Sequence, residues 1–230
     1  MLTQDQAVAT VVLEHSECAE VFQRHRIDFC CRGDESIAVA AQAKGVDVDA
    51  LLSELSRAIA TRNGASGPDP RELSTPRLIA HIVSTHHEYL RTALPFVRGL
   101  ADKVGRVHGD HDPQLRELAV AVGELSNALL PHLDEEEELI FPALTAPSPD
   151  PDAVSALLAT MMGDHHAVAA LLERIHAASD AYSLPDWACN SYRTLFSELQ
   201  RMEADIYTHV HLENHVLAPR FATVSPAKGG

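Results

Sequence analysis

Aromatic residues make up only 5% of this 230-residue chain, and it has a single tryptophan. So little aromatic bulk beside abundant alanine favours closely packed helices over a sheet core. Basic residues are scarce as well: 18 Lys and Arg stand against 33 Asp and Glu, a formal net charge of −15. That excess disfavours nucleic acid, whose phosphates require cations, and adsorption to anionic membranes. No apolar run approaches the ~20 residues that span a bilayer. The N-terminal stretch lacks a basic start followed by an apolar block, so no secretory signal is expected and the expected location is the cytoplasm. Strand signals are missing too: no Val/Ile/Thr alternation is bounded by hairpin turns. Of the cysteines, Cys18, Cys30, Cys31 and Cys189, two are adjacent. Neighbouring residues bridge only with strain, which excludes a secreted disulfide framework.

What remains is ordinary in bulk, with 46% hydrophobic and 22% charged residues. This length suits one large domain or one ordinary domain with a small companion. Histidine is the exception, at 14 residues, more than packing alone requires. Residues 63–70, NGASGPDP, form a Gly/Ser/Pro-rich break. The expected division is an N-terminal helical module at 1–62, a linker at 63–72, a bundle at 73–222 and a tail at 223–230. In the first module Gly33 and Gly45 read as punctuation, with Gly45 a helix stop. Beyond the break, four segments with 3.6-residue periodicity run roughly over 75–102, 113–143, 151–179 and 185–217. Pro76, Pro113, Pro151 and Pro185 each mark a start. Short connections favour an up-down-up-down four-helix bundle, so the expected class is all-α. Pro95 and Pro131 should each cost a backbone hydrogen bond and kink their helices.

The stretch 131–142, PHLDEEEELIFP, first reads as a solvated acidic face. Residues 208–219, THVHLENHVLAP, change that reading. His132 and His209 are each followed four residues on by Glu136 and Glu213, then by the aliphatic pairs Leu139-Ile140 and Val216-Leu217, then by Pro142 and Pro219. Positions i and i+4 share a helix face, and the aliphatic pairs should continue that face into the core. Glu135, Glu137 and Glu138 are left as a solvated face. The other two long helices each carry a histidine pair, His86-His87 and His165-His166. The face around His165 is apolar throughout, so His165 points inward. Apolar neighbours do not separate His86 from His87, although His87 lies 45 residues before His132 and His165 lies 44 before His209. Four histidines and two glutamates in one core layer are costly unless satisfied. Two divalent metals bridged by carboxylates would satisfy them, as in other bundles. Mixed imidazole and carboxylate ligation suits iron, with zinc and manganese also compatible. The remaining histidines, including His211 and His215, are read as surface, outer-layer or unexplained.

Residues 27–33 read IDFCCRG. Vicinal thiols beside Arg32 and an apparent helix start at Asp34 suit lowered pKa values and reactivity. The plainer reading is two small buried hydrophobes.

Taken together, these motifs resemble the di-iron proteins for repair of iron centres, the iron–sulfur cluster repair family. The likeness covers nearly the whole chain. The family joins a D-[FY]-C-C-x-G module, matched by Asp28 to Gly33, to a hemerythrin-like bundle. HHEYLRTALP, HLDEEEELIFP, DHHAVAALL and HVHLENHVLAPR match its four helix motifs. The resemblance implies the ligands His87, His132, Glu136, His165, His209 and Glu213, two non-haem, carboxylate-bridged iron ions, and a thiol role for Cys30 and Cys31. Oxygen-carrying hemerythrin has five histidines and a different carboxylate arrangement, which disfavours reversible oxygen carriage. Two departures stand out: C-C-R-G replaces the usual C-C-G-G, and His86 duplicates a single required imidazole.

The implied function is restoration of iron–sulfur clusters damaged by nitrosative or oxidative stress, by supplying iron or handling nitric oxide. The implied partners are damaged iron–sulfur proteins and nitric oxide or oxygen, with no nucleic acid and no membrane; a homodimer is allowed. The alternatives are a hemerythrin-like oxygen or nitric oxide sensor or iron store, and a di-iron nitric oxide reductase or peroxidase.

Overall fold

The computed structural model describes residues 2–61 and 69–221. Residues 63–68 of the expected linker and the whole expected tail lie outside the described residues. Among the described residues all regular structure is helical, and β pairing is limited to one antiparallel bridge between Ala7 and Ser36. The chain forms two compact units: Met1–Leu73 with Ile206–Val216, and Ser74–Asp205 with Leu217–Gly230.

The first unit holds four short helices, α1 (Val8–Glu14), α2 (Cys18–Arg24), α3 (Ile37–Lys44) and α4 (Val48–Thr61). Ser36 starts α3 by accepting the Val39 N–H at its hydroxyl. Gly45 stops it, as expected, in the left-handed region at φ 67°. The Gly45 and Val46 N–H groups then return to the carbonyls of Gln42 and Ala41. Leu51 and Leu55 of α4, one turn apart, are buried with Val8, Phe22 and Ile37. Val11, Val12, Val21, Ile27 and Phe29 are buried as well, a small core for a module of this size.

In the second unit α5 (Thr75–Ile82) runs through a π-helical turn (Val83–His87) into α6 (Glu88–His108). Likewise α7 (Gln114–Glu135) runs through a second π turn (Glu136–Ile140) into α8 (Phe141–Thr145). Then come α9 (Pro151–Ala178) and α10 (Asn190–Leu212), which ends in a third π turn at Glu213–Leu217. From Ile206 onward α10 belongs with the first unit. Packing runs from α6 to α7 and from α7 to α9. Asp150 caps α9, accepting from the N–H groups of Asp152 and Ala153.

Pro95 and Pro131 lie inside the continuous helices α6 and α7, and two other expectations are corrected in detail. Both prolines are exposed, so water can satisfy the carbonyl that each proline leaves without a partner. The fourth long helix begins at Asn190 rather than near Pro185, because residues 185–188 close a turn by Ala188 N–H to Pro185 O instead. Leu139 is half exposed whereas Ile140 is buried. The π turn takes more residues per turn than 3.6, which rotates Leu139 off the apolar stripe.

Candidate metal centre

Each of the three π turns carries residues singled out by their spacing: His86 and His87, Glu136, and Glu213. Single π turns inside α-helices recur at functional sites, because the extra residue re-aims side chains.

Within the second unit, Glu136 is the focus. Its side chain is fully buried, and three imidazoles approach it. His132 Nε2 and His165 Nε2 lie 3.2 and 3.7 Å from Oε1, and His87 Nε2 lies 3.4 Å from Oε2. The ligand atoms of His132, Glu136 and His165 all fall within 4.8 Å of one another. Two ligands on one ion at about 2 Å sit about 3 Å apart, so this spacing fits shared coordination by a divalent transition metal.

The rear nitrogens of the same rings are held from other helices. His87 Nδ1 donates to Glu137 Oε1 at 2.8 Å, and Arg91 donates to the same oxygen at 3.0 Å. His132 Nδ1 faces Asp164 Oδ2 at 3.3 Å. The His87 ring stacks on Phe141, with centroids 5.8 Å apart. Such partners fix ring orientation and tautomer. Glu137 is therefore not part of a solvated face. Burial pulls its carboxyl up, but the hydrogen bonds from His87 and Arg91 outweigh this and hold it below the ordinary range.

The histidine doublet also separates. His86 is turned to α10, where its Nδ1 donates to Asp205 Oδ1 at 2.9 Å, whereas His87 faces Glu136. On the residues assigned to the first unit, His209 Nε2 lies 2.9 Å from Glu213 Oε1, and both are fully buried.

The cysteine loop is built around Asp28. Its Oδ1 accepts from the Cys30 and Cys31 N–H groups at 3.0 and 2.8 Å, and from the Cys30 thiol at 3.1 Å. The two sulfurs are 3.6 Å apart. Cys30 is buried, and burial, the Cys31 contact and the Asp28 carboxylate all push its thiol well above the usual range. The expectation of lowered thiol pKa values thus fails at Cys30. Arg32 does not offset this, because its guanidinium pairs with Glu35 at 2.6 Å.

Residues left unexplained by the sequence hold this loop from the end of α10 and its π turn. His211 Nδ1 donates to Phe29 O at 3.1 Å. Asn214 Nδ2 and His215 Nε2 both donate to Cys30 O, at 3.0 and 2.8 Å. Their signal was the second i, i+4 pair in HVHLENH, offset from His209 and Glu213. Burial, then His215, pushes His211 down to about 4.

This geometry sets the order of thiol reactivity. Cys18 is buried, and burial followed by Glu17 pushes its thiol up to about 12. Cys189 is exposed and Cys31 half-buried. Titration of native protein with a chromogenic disulfide at pH 8 should modify Cys189 and Cys31 quickly and Cys18 and Cys30 only after denaturation. Peptide mapping that finds Cys30 among the fast thiols would contradict the buried, raised thiol.

Comparison with known proteins agrees with both parts of the chain. Residues 78–221 match the hemerythrin HHE cation binding domain, and residues 4–59 match a domain of unknown function (DUF542). The iron-sulfur cluster repair protein ScdA of Staphylococcus epidermidis is 34% identical over 220 residues, 94% of this chain and 98% of that protein. ScdA of Staphylococcus haemolyticus is 32% identical over 96% of this chain and all of its own length. The iron-sulfur cluster repair protein YtfE of Yersinia pseudotuberculosis is 30% identical over 94% of this chain and 96% of its own. With a helical bundle carrying buried histidine and glutamate, an Asp-anchored cysteine pair, and matches of this extent, the chain belongs to the iron–sulfur cluster repair family that joins a DUF542 domain to a hemerythrin HHE cation-binding domain.

Proposed function

We propose that this protein restores iron–sulfur clusters damaged by nitrosative or oxidative stress, using a carboxylate-bridged di-iron centre. The observation that carries the di-iron reading is Glu136, whose two oxygens face different imidazoles. Oε1 faces His132 and His165, and Oε2 faces His87. One carboxylate with ligands on both oxygens is the arrangement of a bridge between two ions. His209 and Glu213, the repeat of His132 and Glu136, complete the second position in this reading. All six residues fall inside the matched hemerythrin span. Iron bound there would supply a labile ion or a place for nitric oxide to bind.

The protein's own groups orient and enclose that site. Glu137 and Asp164 fix the His87 and His132 rings, and the buried surroundings keep bulk water away. Cys31, the more exposed thiol, meets the client, with Cys30 behind it to receive or pass on a ligand. The proposed division places this thiol module at 1–62 and the metal-binding bundle at 73–222. The clients are damaged iron–sulfur proteins, as the names of the relatives indicate for those proteins.

A second reading, a hemerythrin-like sensor or iron store, draws on the Cys30 thiol, which burial keeps protonated. Replacing Cys30 and Cys31 together with alanine separates the two. The repair reading expects about two irons per chain in both proteins and loss of cluster restoration in the variant. Restoration by the variant at the parent rate would remove the thiols from the mechanism. One metal or none in anaerobically purified parent protein would remove the di-iron centre.

A further inference from the structure

The connections α6–α7 and α9–α10 of the second unit line a cavity of about 370 Å³, at the small end of the roughly 300–1,000 Å³ typical of ligand pockets. None of the six residues assigned above to the metal lines it. Its charged lining residues among those described are Asp112 and Asp180, both acidic, and its aromatic ones are Trp187 and Tyr192.

Three features mark it as more than a gap. Tyr192 lines the cavity with 3% of its surface exposed, and its side chain has no hydrogen bond among the described residues. Burial, then Asp112 and Asp180, pushes the phenol up to about 12, so it remains a neutral oxygen in a negative field.

Second, Trp187 is 41% exposed despite its size. It is braced by rings rather than buried: His111 meets it edge-on at 4.6 Å, with His108 and Tyr192 at 5.5 and 5.6 Å.

Third, the neighbouring cations are engaged elsewhere. Arg116 pairs with Asp110, Arg193 Nε donates to Ala188 O at 3.1 Å, and Lys103 donates to Ser191 Oγ at 3.0 Å. The Asp112 carboxylate accepts the Gln114 N–H, at 3.1 Å, and neither it nor the Asp180 carboxylate has an ion pair among the described residues. Asp180 also opens a run of three left-handed non-glycine residues, with φ of 48°, 53° and 60° at Asp180, Ala181 and Tyr182. The Tyr182 N–H holds that run to Ser179 Oγ at 3.2 Å, and its hydroxyl donates to Glu203 at 3.1 Å.

An aromatic face, two carboxylates and a neutral oxygen acceptor, with no lining cation, select against anions and against neutral apolar molecules. We propose that this cavity binds a small organic ammonium ion, its charge set against Asp112 and Asp180 and its body against the Trp187 and Tyr192 rings. A hydrated metal ion lacks the apolar body that the aromatic wall would cover.

Trp187 is the only tryptophan of the chain and reports directly on its own site. The full-length protein is titrated with putrescine and with choline, following tryptophan emission, with 1,4-butanediol as the neutral analogue and magnesium chloride as the metal control. Each ammonium ion should change the emission saturably, and butanediol and magnesium should not. Asp112→Asn and Asp180→Asn should each weaken binding about tenfold; Asp180 is exposed and Asp112 half-buried, and Asn tolerates the left-handed region at 180. Calorimetry on the same samples covers binding that leaves the emission unchanged. No saturable signal by either method, an equal response to butanediol or magnesium, or unchanged affinity in the double Asn variant would each overturn the proposal.

Discussion

Stripping metal from the loaded protein lowers its thermal midpoint by about 10 °C. Glu136 has a side chain with no exposed surface, among His87, His132 and His165 at 3.4, 3.2 and 3.7 Å. Carboxylate and imidazole groups are costly to bury unless paired or coordinated. A ligand present at about 1,000 times its dissociation constant stabilises the native state by about 4 kcal/mol. In a domain of about 150–250 residues each kcal/mol is worth roughly 2–4 °C. Calorimetric scans of metal-loaded and chelator-treated protein measure the difference. Glu136→Gln keeps the volume but removes the carboxylate charge, so its midpoint should be nearly the same with and without added iron. A parent protein whose midpoint ignores metal removal would show that the buried ligands are satisfied by one another, and the di-metal reading would fall.

Gly33→Ala destabilises the first unit by about 3 kcal/mol, the upper part of the range for overpacking. A Cβ at Gly33 would sit 2.5 Å from Phe29 O, 2.6 Å from Ala9 Cβ and 2.8 Å from His215 Nε2. The first of these is backbone and is already tied to His211. The third is the ring nitrogen that donates to Cys30 O. The Gly33 carbonyl in turn accepts the Ala9 N–H at 2.8 Å, so the loop cannot move away without losing α1. Gly45→Ala is the control. Its φ is 67° but nothing lies within 4 Å of the added carbon, so only the left-handed penalty of about 1 kcal/mol applies. Denaturant unfolding of the two variants should separate them by about 2 kcal/mol. Equal stabilities would mean that the cysteine loop is not held where Phe29, Ala9 and His215 place it.

Several parts of the site were visible in the residues because they depend on local geometry. A histidine four residues before a glutamate shares its helix face whatever surrounds the helix, and a stop at Gly45 follows from the freedom of glycine alone. The apolar face around His165 likewise predicted its burial, now 1% exposed. The motifs around Asp28–Gly33 and in the four long helices were enough to place the chain in its family.

Other features needed the tertiary structure, because their causes lie on different helices or in irregular backbone. His86 and His87 have equally apolar neighbours, and only Asp205 on α10 and Glu137 beside Glu136 assign them opposite directions. Glu137 looked solvated because a run of five acidic residues carries no sign of which member will meet a ring from another helix. Leu139 left the stripe because a π turn does not follow the 3.6-residue period. At Cys30 the sequence showed a cation next door, whereas the fold pairs Arg32 with Glu35 and sets the thiol against Asp28 in a buried place. By itself, then, the sequence determined the helical class, the family and the inward placement of His132, Glu136, His165, His209 and Glu213, since periodicity and i, i+4 spacing act within one helix. Ring orientation, thiol state and the aromatic, acidic cavity near Trp187 were decided only in three dimensions, where burial and partners distant in the chain set the cost of each charge.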